Sequence, residues 1–129
     1  YEIRTYRLAP GSVAEVGKRF GEAYEHRKKY SPIAAFWHTE IGPLNEIVHV
    51  WPYRDLGERA RIRAEVAKEP NWPPKIAEFI CSQHSEILIP FPFSPLPKPG
   101  RAVRLAVVCR GLARVERETR RGRRRYFAP

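Results

Sequence analysis

Residues Tyr1 to Leu8 alternate along an extended chain, with Tyr1, Ile3 and Thr5 on one side and Glu2, Arg4, Tyr6 and Leu8 on the other. A period of two predicts a β-strand. Pro10-Gly11 ends it, and Ser12 three residues before Glu15 has the spacing of a capping box that starts a helix. Val13, Val16, Phe20, Ala23, Tyr24 and Arg27 then recur at helical spacing, the apolar ones forming a stripe for burial, until Ser31-Pro32 closes the helix. Ile33 to Ile41 and Glu46 to Tyr53 are β-rich runs joined by Gly42-Pro43-Leu44-Asn45, which predicts an antiparallel hairpin. Asp55 three residues before Glu58 is a second capping box. It opens a helix to about Lys68, with Leu56, Ala60, Ala64 and Ala67 on one face and Pro70 as the stop. After Trp72-Pro73-Pro74, Lys75 to Ile80 reads as a short helix and Gln83 to Ile89 as a last strand. The order strand, helix, strand, strand, helix, strand predicts a ferredoxin-like α+β domain, with helices on one face of an antiparallel four-stranded sheet.

The hairpin sorts its side chains into two faces. A four-residue turn pairing Ile41 with Glu46 sets His38 opposite His49 and Phe36 opposite Trp51. One face then holds Ala35, Trp37, Thr39, Ile41, Val48 and Val50, and is expected beneath the helices. The other holds Phe36, His38, Glu40, Ile47, His49, Trp51 and Tyr53, joined by Arg4 and Tyr6 of the first strand. An open face this aromatic is too apolar to stay in water, so it is expected to pack against a second copy and enclose a pocket.

Charge changes the picture of the chain's end more than of its body. The net +10 divides unevenly: residues 1–97 carry 13 Lys and Arg against 12 Asp and Glu, whereas residues 98–129 carry 11 against 2. Two regions follow: a nearly neutral domain over 1–97 and an Arg-rich tail over 98–129. Pro90, Pro92, Pro95, Pro97 and Pro99 form an extended exit between them. The tail, with Arg120, Arg121, Arg123, Arg124 and Arg125, has the chemistry to contact phosphates of a nucleic acid. The ordinary reading is a solvated disordered segment or an atypical C-terminus. Cys81 and Cys109, 28 residues apart, read as reduced thiols in an intracellular compartment. The chain has no Met, so its natural start is expected to lie upstream. No apolar run approaches the roughly 20 residues of a membrane span.

Several runs resemble the NIPSNAP family: Tyr1-Glu2-Ile3-Arg4-Thr5-Tyr6-Arg7-Leu8-Ala9-Pro10-Gly11, Phe36-Trp37-His38-Thr39-Glu40-Ile41-Gly42-Pro43-Leu44-Asn45, and His49-Val50-Trp51 with Tyr53, Asp55-Leu56, Arg59 and Arg63. Ser85-Glu86-Ile87, Ile89-Pro90 and Phe93-Ser94-Pro95-Leu96 match the family's end, so the resemblance runs in order over about three quarters of the chain. It implies a dimeric α+β barrel, a fold shared with small oxygenases, haem-degrading enzymes and isomerases. It also implies protein interaction or small-ligand binding, since no reaction is firmly established in the family. Eukaryotic members are associated with mitochondria and vesicle traffic, so the implied location is mitochondrial for a eukaryotic chain and cytoplasmic for a bacterial one. Pro73-Pro74 departs from the pattern where the family continues a helix, and the segment after Pro97 has no counterpart in it.

The candidate ligand-pocket residues are Arg4, Tyr6, Phe36, His38, Glu40, His49 and Trp51, with His49 the candidate general base or haem ligand. Arg4 is suited to hold a carboxylate through two parallel hydrogen bonds, against the plainer reading of an ion pair with Glu2, Glu40 or Glu86. Arg59 and Arg63 read as a solvated helix face or as partners of nearby acids, Asn45 as a turn residue, and His26 and His84 as surface groups. No metal site and no cofactor is expected, haem or flavin entering only if the domain is an oxygenase or isomerase. Familiar nucleotide-binding, serine-hydrolase and zinc-protease motifs do not occur.

Overall fold

The computed structural model describes residues 1–96, so the expectation for 98–129 lies outside the described residues. The first strand, β1, spans Glu2–Leu8. It is followed by α1 (Val13–Arg27), β2 (Ala35–His38), β3 (Glu46–Trp51), α2 (Leu56–Val66), a 3-10 turn (Ala77–Phe79) and β4 (Ile80–Ile87). The four strands form one sheet in the order β2-β3-β1-β4, all neighbours antiparallel. This is the expected βαββαβ architecture.

Local chemistry accounts for the elements, with some changes from the sequence reading. Ser12 does precede α1, but its hydroxyl donates to the Ala9 carbonyl at 2.6 Å instead of capping the helix, and Glu15 pairs with Arg19. The second cap forms as expected: the Asp55 carboxylate accepts from the Glu58 N–H at 2.7 Å, which satisfies one of the free donors of the first turn of α2. The buried side of α2 is Ile62 and Val66, not the stripe begun by Leu56, which is 66% exposed. One turn of larger branched side chains removes more apolar area from water than a row of alanines, and this decides the helix's rotation. The segment Lys75 to Ile80 contributes only a 3-10 turn, and β4 begins at Ile80, earlier than the pattern predicted.

The hairpin register also differs. Phe36 pairs with His49, Trp37 with Val48 and His38 with Ile47, two residues away from the expected alignment. The connection is longer than a four-residue turn. Beyond β2 the Thr39 N–H donates to the Glu46 carbonyl at 3.0 Å, and Gly42 and Asn45 take positive φ of 122° and 61°. Because the shift is two residues and not one, the side chains stay on the faces assigned to them.

The main correction concerns which face the helices cover. Tyr6, Leu8, Ile47, Trp51 and Tyr53 form one core cluster with Val16 and Phe20 of α1 and Ile62 and Val66 of α2. The aromatic face lies beneath the helices, and the Ala35, Trp37, Val48 and Val50 face is the open one. The physical reason is area: rings offer the helices more apolar surface to bury than Val and Ala do. The expectation that Phe36, Ile47, Trp51 and Tyr53 would need a second copy to leave water therefore does not hold.

Candidate functional site

Period-two alternation in β1 and β3 builds the site. Arg4 lies opposite His49 and Tyr6 opposite Ile47, so Glu2, Arg4, Tyr6, Ile47, His49 and Trp51 share the covered face. Between this face, the two helices and the Trp72–Ala77 segment there is a cavity of about 400 Å³. Arg4, Tyr6, Phe20, Arg27, His49, Trp51, Arg63, Trp72 and Ile76 are among the residues that line it.

His49 is 1% exposed and enclosed by rings. Phe20 lies 5.1 Å away between centroids, Phe36 stacks at 5.9 Å, and Tyr6 meets the imidazole edge-on at 4.9 Å. The Trp51 indole N–H donates to His49 Nδ1 at 2.6 Å. An indole nitrogen only donates, so Nδ1 is the acceptor and the proton of the neutral ring sits on Nε2. Burial, reinforced by the positive charges of Arg4 and Arg27, pushes the His49 pKa down to about 3. Nε2 is buried and has no hydrogen-bond partner.

Two guanidiniums lie beside this imidazole. Arg27, in the last turn of α1, is 4% exposed and stands over Trp51 at 4.3 Å and Trp72 at 5.2 Å. It donates to the Tyr53 hydroxyl at 3.1 Å, its Nη1 is buried without a hydrogen-bond partner, and burial lowers its pKa. Arg4 stands over the Tyr6 ring at 5.2 Å, and its buried Nε also lacks a hydrogen-bond partner. Each buried unpaired donor costs on the order of 1–3 kcal/mol, which makes three of them around one cavity a feature that needs a reason.

One carboxylate balances part of this charge. Glu2, 1% exposed, accepts two parallel hydrogen bonds from Arg59 at 2.9 and 3.0 Å and one from Ser85 at 3.0 Å. Arg63 and Arg4 approach it at 3.8 and 4.0 Å. Burial by itself would raise the Glu2 pKa, but the Arg59 and Ser85 hydrogen bonds and the charges of Arg59 and Arg4 hold it below the ordinary value. Three arginines thus meet one acid while Arg27 stands apart from it, and the surroundings of the cavity stay strongly positive.

Of the residues singled out in the sequence, Arg4, Tyr6, His49 and Trp51 line the cavity, and Phe36 supports it by packing on His49 and on Phe20. His38 and Glu40 do not belong to it. His38 is exposed and pairs across the sheet with Ile47, while Glu40 is exposed in the loop beyond β2. The extended pairing to Ile41 that would have aligned both with His49 does not form. Arg59 and Arg63 leave the solvated-face reading to meet Glu2, the plainer partner expected for Arg4. Asn45 holds the positive φ expected of a turn residue, and His26 and His84 are exposed. The sequence reading missed Arg27, Glu2 and Trp72 as site residues. Two carried a signal: Arg27 occupies the apolar stripe of its helix, and Glu2 shares the parity of Tyr6 and Leu8. Among the described residues no group of three or more His, Cys, Asp or Glu is placed to hold a metal ion, and no helix is long and apolar enough to cross a membrane.

Comparison with known proteins places the chain in a family. Residues 1–95 match the NIPSNAP family model. The chain is 37% identical over 93 residues to a NipSnap homolog of Dictyostelium discoideum, a match that takes in 70% of this chain and 42% of that protein. It is 34% identical over 98 residues to the NipSnap protein of Drosophila melanogaster, covering 74% of this chain and 36% of that one. The match therefore spans less than half the length of these curated relatives. Among solved structures, a NIPSNAP family protein of unknown function from Agrobacterium tumefaciens aligns with a TM-score of 0.69 at 38% identity, covering 74% of this chain and 91% of that one. An uncharacterised NIPSNAP domain protein from Burkholderia xenovorans aligns with a TM-score of 0.69 at 32% identity, covering 74% and 97%.

Proposed function

The chain belongs to the NIPSNAP family, and from that premise we propose that its domain is a small-ligand-binding and interaction module, not a catalyst. The cavity of about 400 Å³ beneath the helices carries this reading, because it offers aromatic walls and a few converging polar groups, the usual make-up of a ligand site. The state of His49 favours binding over catalysis. With its pKa down to about 3, the imidazole is a poor general base at neutral pH. Purified protein is expected to take up small molecules saturably and to melt at a higher temperature when it does. A screen by thermal shift and native mass spectrometry that finds no bound molecule would defeat the reading.

The rival reading is a small cofactor-dependent oxygenase or isomerase, although with the proton on Nε2 and Nδ1 accepting from Trp51 the imidazole offers a haem iron no free lone pair. Titration with haem and with flavin separates the two. A saturable absorption band that His49→Ala abolishes would select the enzyme.

Interaction with a second copy belongs to the same proposal, now on a different surface. The open face presents Ile3, Thr5, Val48 and Trp37, the last 57% exposed. Beyond β4, Ile89, Phe91 and Phe93 are 85%, 71% and 84% exposed, an apolar run of the kind that marks an interface. Light scattering at micromolar concentration is expected to report a homodimer, and a stable monomer would remove this part. Nucleic-acid binding through the Arg-rich segment is a separate matter, tested by whether salt-sensitive RNA binding disappears on truncation at Pro97.

A further inference from the structure

Three of the side chains that line this cavity each hold a buried nitrogen donor with no hydrogen-bond partner: Arg4 Nε, Arg27 Nη1 and His49 Nε2. They come from three different elements, β1, α1 and β3, so no single local conformation explains them. All three offer hydrogens and none offers a lone pair, because guanidinium has no acceptor and the His49 acceptor nitrogen is taken by Trp51. The charge has one sign as well. Among the described residues, Glu2 is the carboxylate that approaches Arg4, at 4.0 Å, but it already receives Arg59 through two hydrogen bonds, and Arg27 forms no ion pair. Apart from Arg63 and Gln83 the rest of the wall is mainly apolar, with Phe20, Trp72, Val66 and Ile76.

Resting on the ligand-binding reading above, we infer that the occupant of this cavity is an organic acid: an oxyanion head set among Arg4, Arg27 and His49, carried on a flat apolar body held by Phe20 and Trp72. A carboxylate presents acceptors only and so matches side chains that offer only donors, whereas an amide or alcohol brings a hydrogen that meets another hydrogen. Holding His49 neutral fits the same scheme, since the ring then keeps a fixed Nε2–H donor over the whole physiological pH range.

The test uses two probes of one shape, 2-naphthoate and 2-naphthamide, titrated into the full chain by calorimetry and by quenching of tryptophan emission. The expected result is a preference of at least about tenfold for the acid. Arg4→Gln is expected to reduce that preference to about threefold or less. Its side chain is partly exposed, so it is the safer variant to fold. Arg27→Gln, accepted only if its melting curve stays cooperative, is expected to lower the preference further. Equal affinity for acid and amide would overturn the inference and leave a binding cavity in place. A tenfold preference that survives both substitutions would also overturn it, by placing the anion elsewhere. If neither probe binds, the inference fails, while the ligand-binding reading stands or falls by the thermal-shift and mass-spectrometry screen.

Discussion

The two faces of the sheet use the same strands and end in opposite conditions. On the covered face, Glu2, Tyr6, Leu8, Ile47, His49 and Trp51 are all buried. On the open face, Ile3, Thr5 and Val48 are only partly buried and Trp37 is mostly exposed. The covered face nevertheless holds buried charge. It carries an acid, a partly buried arginine and an imidazole, while the open face sets Arg7, Glu46, His84 and Glu86 nearer to water beside Ile3 and Val48. Burial here does not sort residues by polarity. It sorts them by whether their apolar surface and their hydrogen bonds can be matched together. Arg27 is tolerated because indole rings lie against its plane and Tyr53 accepts one bond. Glu2 is tolerated because Arg59 and Ser85 fill its lone pairs.

The strongest way to test this contrast is to cut the same residue type from each face. Trp51→Ala removes a ring that is 2% exposed and leaves its space unfilled, so a loss of about 3–5 kcal/mol is expected from urea denaturation. Replacing Glu2 by Gln keeps the shape and removes the charge that Arg59 meets. A loss of about 2–3 kcal/mol is expected in the same measurement, in line with charged hydrogen bonds.

Acid sharpens the comparison through His49. The unfolded imidazole takes up a proton near its ordinary value of 6.5, the folded one only near 3. Between those values the unfolded state holds the extra proton, so stability falls as pH falls, by about 1.4 kcal/mol per pH unit. The slope is best read between pH 6.5 and 5, above the range in which Glu2 begins to protonate. There His49→Gln is expected to flatten it, and an unchanged slope would assign the acid lability to other groups. Trp37→Ala on the open face should cost the least, under about 1 kcal/mol, because its ring is 57% exposed. If that substitution instead destabilises the protein strongly and makes the loss depend on protein concentration, the open face is covered in solution.

Much of the fold was legible because its signals are local. Period-two alternation in Glu2–Leu8, the apolar stripe from Val13 to Ala23 and the Asp55–Glu58 cap each arise from a few neighbouring residues, and each led to a correctly placed element. The grouping of Arg4, Tyr6, His49 and Trp51 on one face was legible for the same reason, since alternation fixes parity whatever lies above or below the sheet. The side of the sheet on which that face would lie was not legible. Nor was the rotation of α2, decided by Ile62 and Val66, or the loss of His38 and Glu40 from the site through a shorter β2. Those outcomes depend on comparing apolar areas between elements far apart in sequence, which no single segment contains.

The sequence by itself determined the order of elements, the parity of each strand and the membership of the family. Only the tertiary structure decided that the aromatic face is the helix-covered one, that Arg27 joins Arg4 and His49 around one cavity, and that Glu2 is reached from α2. The physical reason is that hydrogen-bonding and period are properties of a chain segment, whereas burial and unpaired charge are properties of what is packed around it.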